Sequence, residues 1–111
     1  MDSSIYMYKL SVDNLYENQY CFVTQHDIDS NKIMIANSNT NFGGVLFHSQ
    51  NDYMHCVFFS GVVKIIAAEK LKMGDLVKSD DSGHAIKCNS IYPHARVIDG
   101  ADKGYFAKII I

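Results

Sequence analysis

Short runs of β-branched and aromatic residues alternate with polar, turn-forming clusters along most of the chain. These runs lie at 20–24, 32–36, 42–48, 53–59, 62–66, 76–78, 85–88, 96–98 and 105–110. They are too short for ordinary helices, but their length and composition are typical of strands. Clusters such as Asp80-Asp81-Ser82-Gly83 separate them and favour tight turns. The pattern therefore predicts an all-β fold, a small β-barrel or sandwich.

Two segments depart from this pattern. Residues 1–15 mix β-forming and polar residues without a helix cap, which indicates an extended N-terminal arm before a single barrel domain at 16–111. An apolar terminal segment is expected to dock on its own domain or on a neighbouring subunit. Residues 67–72 alone have a helical composition, and they predict one short helix.

The chain also contains an internal repeat, in which residues 43–61 resemble residues 96–110. The pairs that share one constant offset are Val45 with Val97, Tyr53 with Tyr105 and Val57 with Ile109. A weaker match aligns 20–23 with 75–77 and 32–35 with 84–87. We expect two related halves of about four strands, bridged by 61–73, that bury their apolar faces against each other because neither closes a core alone.

Composition and charge narrow the possible partners. The chain has 111 residues and a net charge of −2, so it lacks the basic surface that nucleic acids require. No apolar stretch is long enough to span a membrane, and the N-terminus does not resemble a signal peptide. Three cysteines without a C-x-x-C pair predict buried free thiols in a protein made in a reducing cytosol.

Residues that could carry chemistry do not form a recognisable constellation. The five histidines are scattered, and His55 and Cys56 would point to opposite faces of one strand, so we expect no metal site. Most aspartates lie in turn-like strings, where they bond to nearby backbone. The sequence therefore predicts a binding or structural module without catalytic residues or a cofactor, and not an enzyme.

Two remote alternatives use the same kind of β-domain. A biotinyl or lipoyl carrier would present its acceptor lysine on a hairpin, and Lys72-Met73 matches half of the biotin motif. A self-splicing domain also uses a Gly-Asp-x-Val strand entry, as at 74–77, but needs a nucleophile at its start. The chain begins with Met1, which disfavours that second alternative.

Several segments together resemble a known protein family. They are 59–63, 67–77, the turn at 81–83, and 95–97 followed by 104–109. This ordered set is similar to the small bacteriophage capsid decoration proteins. The likeness covers about residues 19–111, although the loop at 99–103 is more charged than is usual in that family.

This resemblance implies a small β-tulip barrel that sits as a homotrimer on the outside of a phage head. The expected partners are the major capsid protein and other copies of the chain, with no nucleic acid and no membrane. The candidate contact residues lie in the arm and in the loop at 37–43: Tyr6, Tyr8, Leu10, Val12, Asn39, Asn41 and Phe42. The alternative is the capsid-anchoring base of a head fibre, or another minor head or tail protein.

Overall fold

The computed structural model describes residues 5–11, 19–25, 32–40, 42–49, 54–89 and 93–111, and no helix lies in any of these ranges. Ten strands are present: β1 (Ile5–Ser11), β2 (Phe22–Gln25), β3 (Lys32–Ile35), β4 (Gly44–Ser49), β5 (Met54–Ser60), β6 (Val62–Ile66), β7 (Leu76–Ser79), β8 (Ala85–Lys87), β9 (Ala95–Asp99) and β10 (Phe106–Ile110). The fold is all-β, as the alternation of apolar and polar runs predicts.

The strands form two five-stranded sheets that divide the chain near Gly61. The first half closes into a barrel in the order β1-β3-β2-β4-β5, and the second half forms a sheet in the order β6-β10-β9-β7-β8. A parallel bridge between Ala67 and Ala85 joins the two ends of the second sheet. It occupies the same place as the parallel pairing of Ser11 with Ile33 in the first half.

The two halves share strand order and register, so the internal repeat is real. Val23 pairs with Ile35 in the first half as Val77 pairs with Lys87 in the second. Each half has five strands instead of the expected four, because β1 and β6 are also equivalent. The segment expected to bridge the halves therefore begins with a full strand of the second half.

Both halves also carry a β-bulge at the same place. The residue pairs on either side of this bulge show which positions of the two halves are equivalent. Leu46 pairs with Val57 and Val97 pairs with Ile109, and the extra residue that follows is Phe47 in one half and Ile98 in the other. The partner of Val97 in the repeat is thus Leu46, so the alignment of Val97 with Val45 is wrong by one residue. Tyr53, aligned with Tyr105, lies outside the described residues.

The short helix expected at 67–72 is absent, which is a second correction. The Ala67 N–H donates to Tyr105 O (2.9 Å), and Leu71 exchanges hydrogen bonds with Ala101 (2.8 and 3.1 Å). Leu71 is only 2% exposed. Long-range pairing and burial thus override a local helical preference that is weak in so short a segment.

Residues 5–11 of the predicted N-terminal arm are extended, but they belong to the barrel. β1 pairs with β5 along its whole length and with β3 at its end. The backbone therefore docks on its own domain. The boundary expected at residues 15 and 16 lies outside the described residues.

Among the described residues, two clusters make up the hydrophobic core. Val23, Ile33, Leu46 and Val57 fill the first barrel. The larger cluster contains the inward side chains of the second half, but it also includes Phe22, Ala36 and Val45 from the first. Because side chains alternate along a strand, β2 sends Val23 into its own barrel and Phe22 into the other half. We call this contact between the halves the junction.

Candidate interaction surfaces

The loop that follows β3 is a tight turn held by its own side chains. Thr40 Oγ1 accepts a hydrogen bond from the Asn37 N–H (3.0 Å) and donates one to the Asn37 carbonyl (3.0 Å). Asn37 Oδ1 accepts from the Asn39 N–H at 2.8 Å. Asn and Thr at these positions replace backbone pairing and give the loop a defined shape.

This loop also ties the two halves together at the junction. Asp81 Oδ1, in the turn after β7, accepts hydrogen bonds from the N–H (3.1 Å) and hydroxyl (2.8 Å) of Ser38. These bonds hold the pKa of the Asp81 carboxyl below its ordinary value. Gly83 follows in the same turn, and its carbonyl accepts from the Phe22 N–H (2.7 Å).

His94 lies at the centre of the junction. Its ring packs edge-on against Phe22, with centroids 5.3 Å apart, and against Phe42 at 5.6 Å. Its Nδ1 accepts a hydrogen bond from the Ser79 N–H (3.2 Å). Burial lowers the pKa of His94, and the positive charge of Lys78 acts in the same direction, while a hydrogen bond to the Thr40 backbone opposes them.

The sequence-predicted contact residues fall in three groups. Val12 and Asn41 lie outside the described residues, as do the side chains of Tyr6, Tyr8 and Leu10. Asn39 is exposed at the tip of the turn. Phe42 is half-buried against Phe22, with ring centroids 6.0 Å apart, so it helps to seal the junction. The role of the arm and of this loop in binding remains a prediction.

A different surface stands out on the second half. Along β6, β10 and β9 the inward residues are buried, and the outward residues are exposed or partly exposed. The outward residues are Val62, Lys64, Ile66, Phe106, Lys108, Ile110, Arg96, Ile98 and Asp99. We call this set the lysine face. The strict alternation at 106–110 was a usable signal for it, but the sequence alone did not tell which face was covered.

The cysteines and the possible metal ligands form no functional site among the described residues. All three cysteines are buried thiols that form no disulfide, as predicted. Burial raises the pKa of Cys21 to about 12, with a smaller contribution from Asp80, so its thiol is unreactive at neutral pH. Within the described ranges, no three His, Cys, Asp or Glu side chains converge as metal ligands, and no helix is suited to crossing a membrane.

Comparison with known proteins gives one informative likeness. No protein-family model and no curated protein sequence is significantly similar to the chain. In contrast, 97% of the chain superimposes on 93% of the head fiber gp8.5 N base of bacteriophage phi29, with a TM-score of 0.76 and 17% sequence identity. The chain therefore has the same two-half β-fold as this phage head fibre base.

Proposed function

We propose that the chain is a structural protein of a tailed-phage head that binds the outer surface of the capsid and stabilises the capsomer lattice. The observation that carries this proposal is the likeness to the phi29 head fiber base, which extends over nearly the whole of both chains. The resemblance to capsid decoration proteins is independent support, since it rests on short sequence segments and not on the fold.

The mechanism in this proposal is burial of protein surface, without catalysis or a cofactor. A homotrimer would engage several copies of the major capsid protein at once, so that weak individual contacts add as avidity. The junction suits this role because it fixes the two halves relative to each other through Ser38, Asp81 and His94. A rigid clamp loses little conformational entropy when it binds.

A second candidate function is the capsid-anchoring base of a head fibre. The phi29 protein is itself such a base, and it is matched over 93% of its length. Both candidates place the domain on the head exterior, and they differ in what the domain carries. Mass spectrometry of the polypeptide in virions distinguishes them, because a base is continuous with fibre sequence and a decoration protein is not.

The decisive experiment mixes the purified protein with expanded, DNA-free heads that lack it. We expect the protein to sediment with the heads and electron microscopy to place it at regular sites on the outer surface. Absence of co-sedimentation, together with absence of the polypeptide from purified virions, would refute the proposal. The intact mass of the same preparation tests the carrier and self-splicing alternatives, which require a covalent adduct or a cleaved product.

A further inference from the structure

The lysine face combines exposed apolar side chains with positive charge. Phe106 is 52% exposed, Ile110 is 47% and Ile98 is 38%. Lys64, Lys108 and Arg96 are exposed beside them, and Asp99 is the one outward carboxylate on these strands. A solvent-exposed apolar cluster flanked by charges is typical of a surface that binds another protein.

Positive charge is in excess on this face. Lys108 of β10 pairs directly with Lys64 of β6, so two positive charges face each other across the ladder. Like charges placed directly opposite each other destabilise a sheet. Lys64 Nζ lies 6.0 Å from the centroid of the Phe106 ring, a contact that offsets only part of this repulsion. On its other side Lys108 pairs with Asp99 of β9, which balances one of the positive charges. With Lys64, Lys108 and Arg96 against Asp99 alone, the face keeps an excess of positive charge that carboxylates of a partner would neutralise.

The internal repeat supplies a control within the same molecule. By register, the position of Lys108 corresponds to Cys56 in the first half, and that of Lys64 corresponds to Tyr8. Cys56 is 3% exposed, so the equivalent position of the first half is covered. At this position the side chain is exposed in the second half and buried in the first. Two lysines pair across the strands in the second half, where the first half pairs Cys56 with Tyr8.

We infer that the lysine face is the surface through which the domain docks on the phage shell, and that the shell surface it meets carries carboxylates. This inference rests on the proposed function and names the docking face and the chemistry of its partner. The apolar residues provide buried area, and the lysines select a negatively charged partner because the face carries an excess of positive charge. Charge complementarity thus assigns the occupant to an acidic protein surface.

The test uses charge reversal at Lys108 with a matched control at Lys87. Both lysines are exposed on strands of the second sheet, but β8, which carries Lys87, pairs with β7 and not with β9 or β10. Lys108→Glu and Lys87→Glu change the net charge equally. Binding of each full-length variant to DNA-free heads is measured over a range of salt concentrations.

We expect Lys108→Glu to weaken binding to heads by about tenfold or more at low salt, and Lys87→Glu to leave it unchanged. Salt should weaken binding of the wild type and have less effect on Lys108→Glu. Lys108→Glu makes the pair with Lys64 attractive but makes the pair with Asp99 repulsive, so its melting temperature should change little. Loss of binding without loss of stability separates docking from misfolding.

Each other outcome overturns the inference. If the wild type binds heads and Lys108→Glu binds equally well, the lysine face is not the docking surface, but the proposed function stands. If Lys108→Glu alters the oligomeric state of the free protein and leaves head binding intact, the face is occupied by a second copy of the chain. If the wild type does not bind heads at all, the proposed function fails and this inference fails with it.

Discussion

His94 connects the two halves through the contacts of its ring with Phe22 and Phe42 and through its hydrogen bonds. Its Nδ1 accepts the N–H of Ser79, a residue that is fully buried. Protonation would convert Nδ1 into a donor pointing at another donor, and the buried Ser79 N–H would lose its partner. The hydrogen bond to the Thr40 backbone favours the protonated ring, but it does not outweigh burial and the positive charge of Lys78, and Phe22 and Phe42 are apolar.

We predict that the free energy of unfolding decreases as the pH falls below 6.5, the ordinary pKa of histidine. The pKa of His94 is lowered in the folded chain, so the unfolded chain binds this proton more readily and acid favours unfolding. The contribution is complete above 6.5 and is lost as the pH falls from there toward the folded pKa. Denaturant unfolding measured between neutral pH and mild acid gives the slope.

The matched variant is His94→Asn, whose side-chain oxygen can still accept from the Ser79 N–H but does not titrate. We expect this variant to be less stable than the wild type at neutral pH, because it loses the ring contacts with Phe22 and Phe42. Its stability should depend less on pH across the same window. An unchanged slope in this variant would contradict the role assigned to His94.

The backbone conformation of Tyr20 could not be predicted from its residue type. It has a positive φ of 59°, and its N–H bonds to Leu46 O, just as Gly74, with a φ of 92°, bonds to Val97 O. A glycine at such a position predicts a turn, whereas a tyrosine predicts a strand. The Tyr20 ring packs against Phe47 and Phe106, and this tertiary contact holds a conformation that local preference disfavours.

At the scale of elements, the sequence predicts most ends of the strands after residue 19 to within one or two residues. Their alternation and turn residues are local signals, which a sequence displays directly. The alignment of β4 with β9 was wrong by one residue because the connection from His48 to Cys56 is one residue shorter than the equivalent connection from Asp99 to Lys108. The segment at 67–72 was mistaken for a helix because its hydrogen-bond partners, such as Ala101 and Tyr105, are distant in sequence.

Leu71 provides a test of this corrected element. We predict that Leu71→Ala destabilises the protein by about 2–5 kcal/mol, because it leaves a cavity in the larger core cluster. Met73→Ala, two residues later at a position that is 78% exposed, should change stability by less than about 0.5 kcal/mol. Chemical denaturation of the two variants measures the difference. Equal effects would mean that the 67–72 segment does not anchor the core.

At the scale of the whole molecule, the repeat and the packing of one half on the other were predictable, but the candidate site was only partly so. Exposed Asn39 and half-buried Phe42 show that a polar loop can contain both surface and junction residues. The lysine face was missed because its exposure depends on which sheet face the fold leaves uncovered. That choice is a property of the assembled halves and not of any one strand.

We predict that the two halves do not fold independently. A fragment of residues 61–111 lacks Phe22, Ala36 and Val45, which complete its core cluster. It should show no cooperative unfolding transition by circular dichroism, and addition of a fragment of residues 1–60 should restore one. Cooperative unfolding of the 61–111 fragment alone would show that the junction contributes little to its stability.

The position of Phe22 also has a consequence for biosynthesis. This side chain belongs to the first half, but the cluster that covers it consists mostly of residues after Gly61. While the ribosome is still translating the later codons, the nascent polypeptide must carry Phe22 and Val45 without their final cover. The interval before the chain is completed is therefore the period when it is most prone to aggregation or chaperone capture.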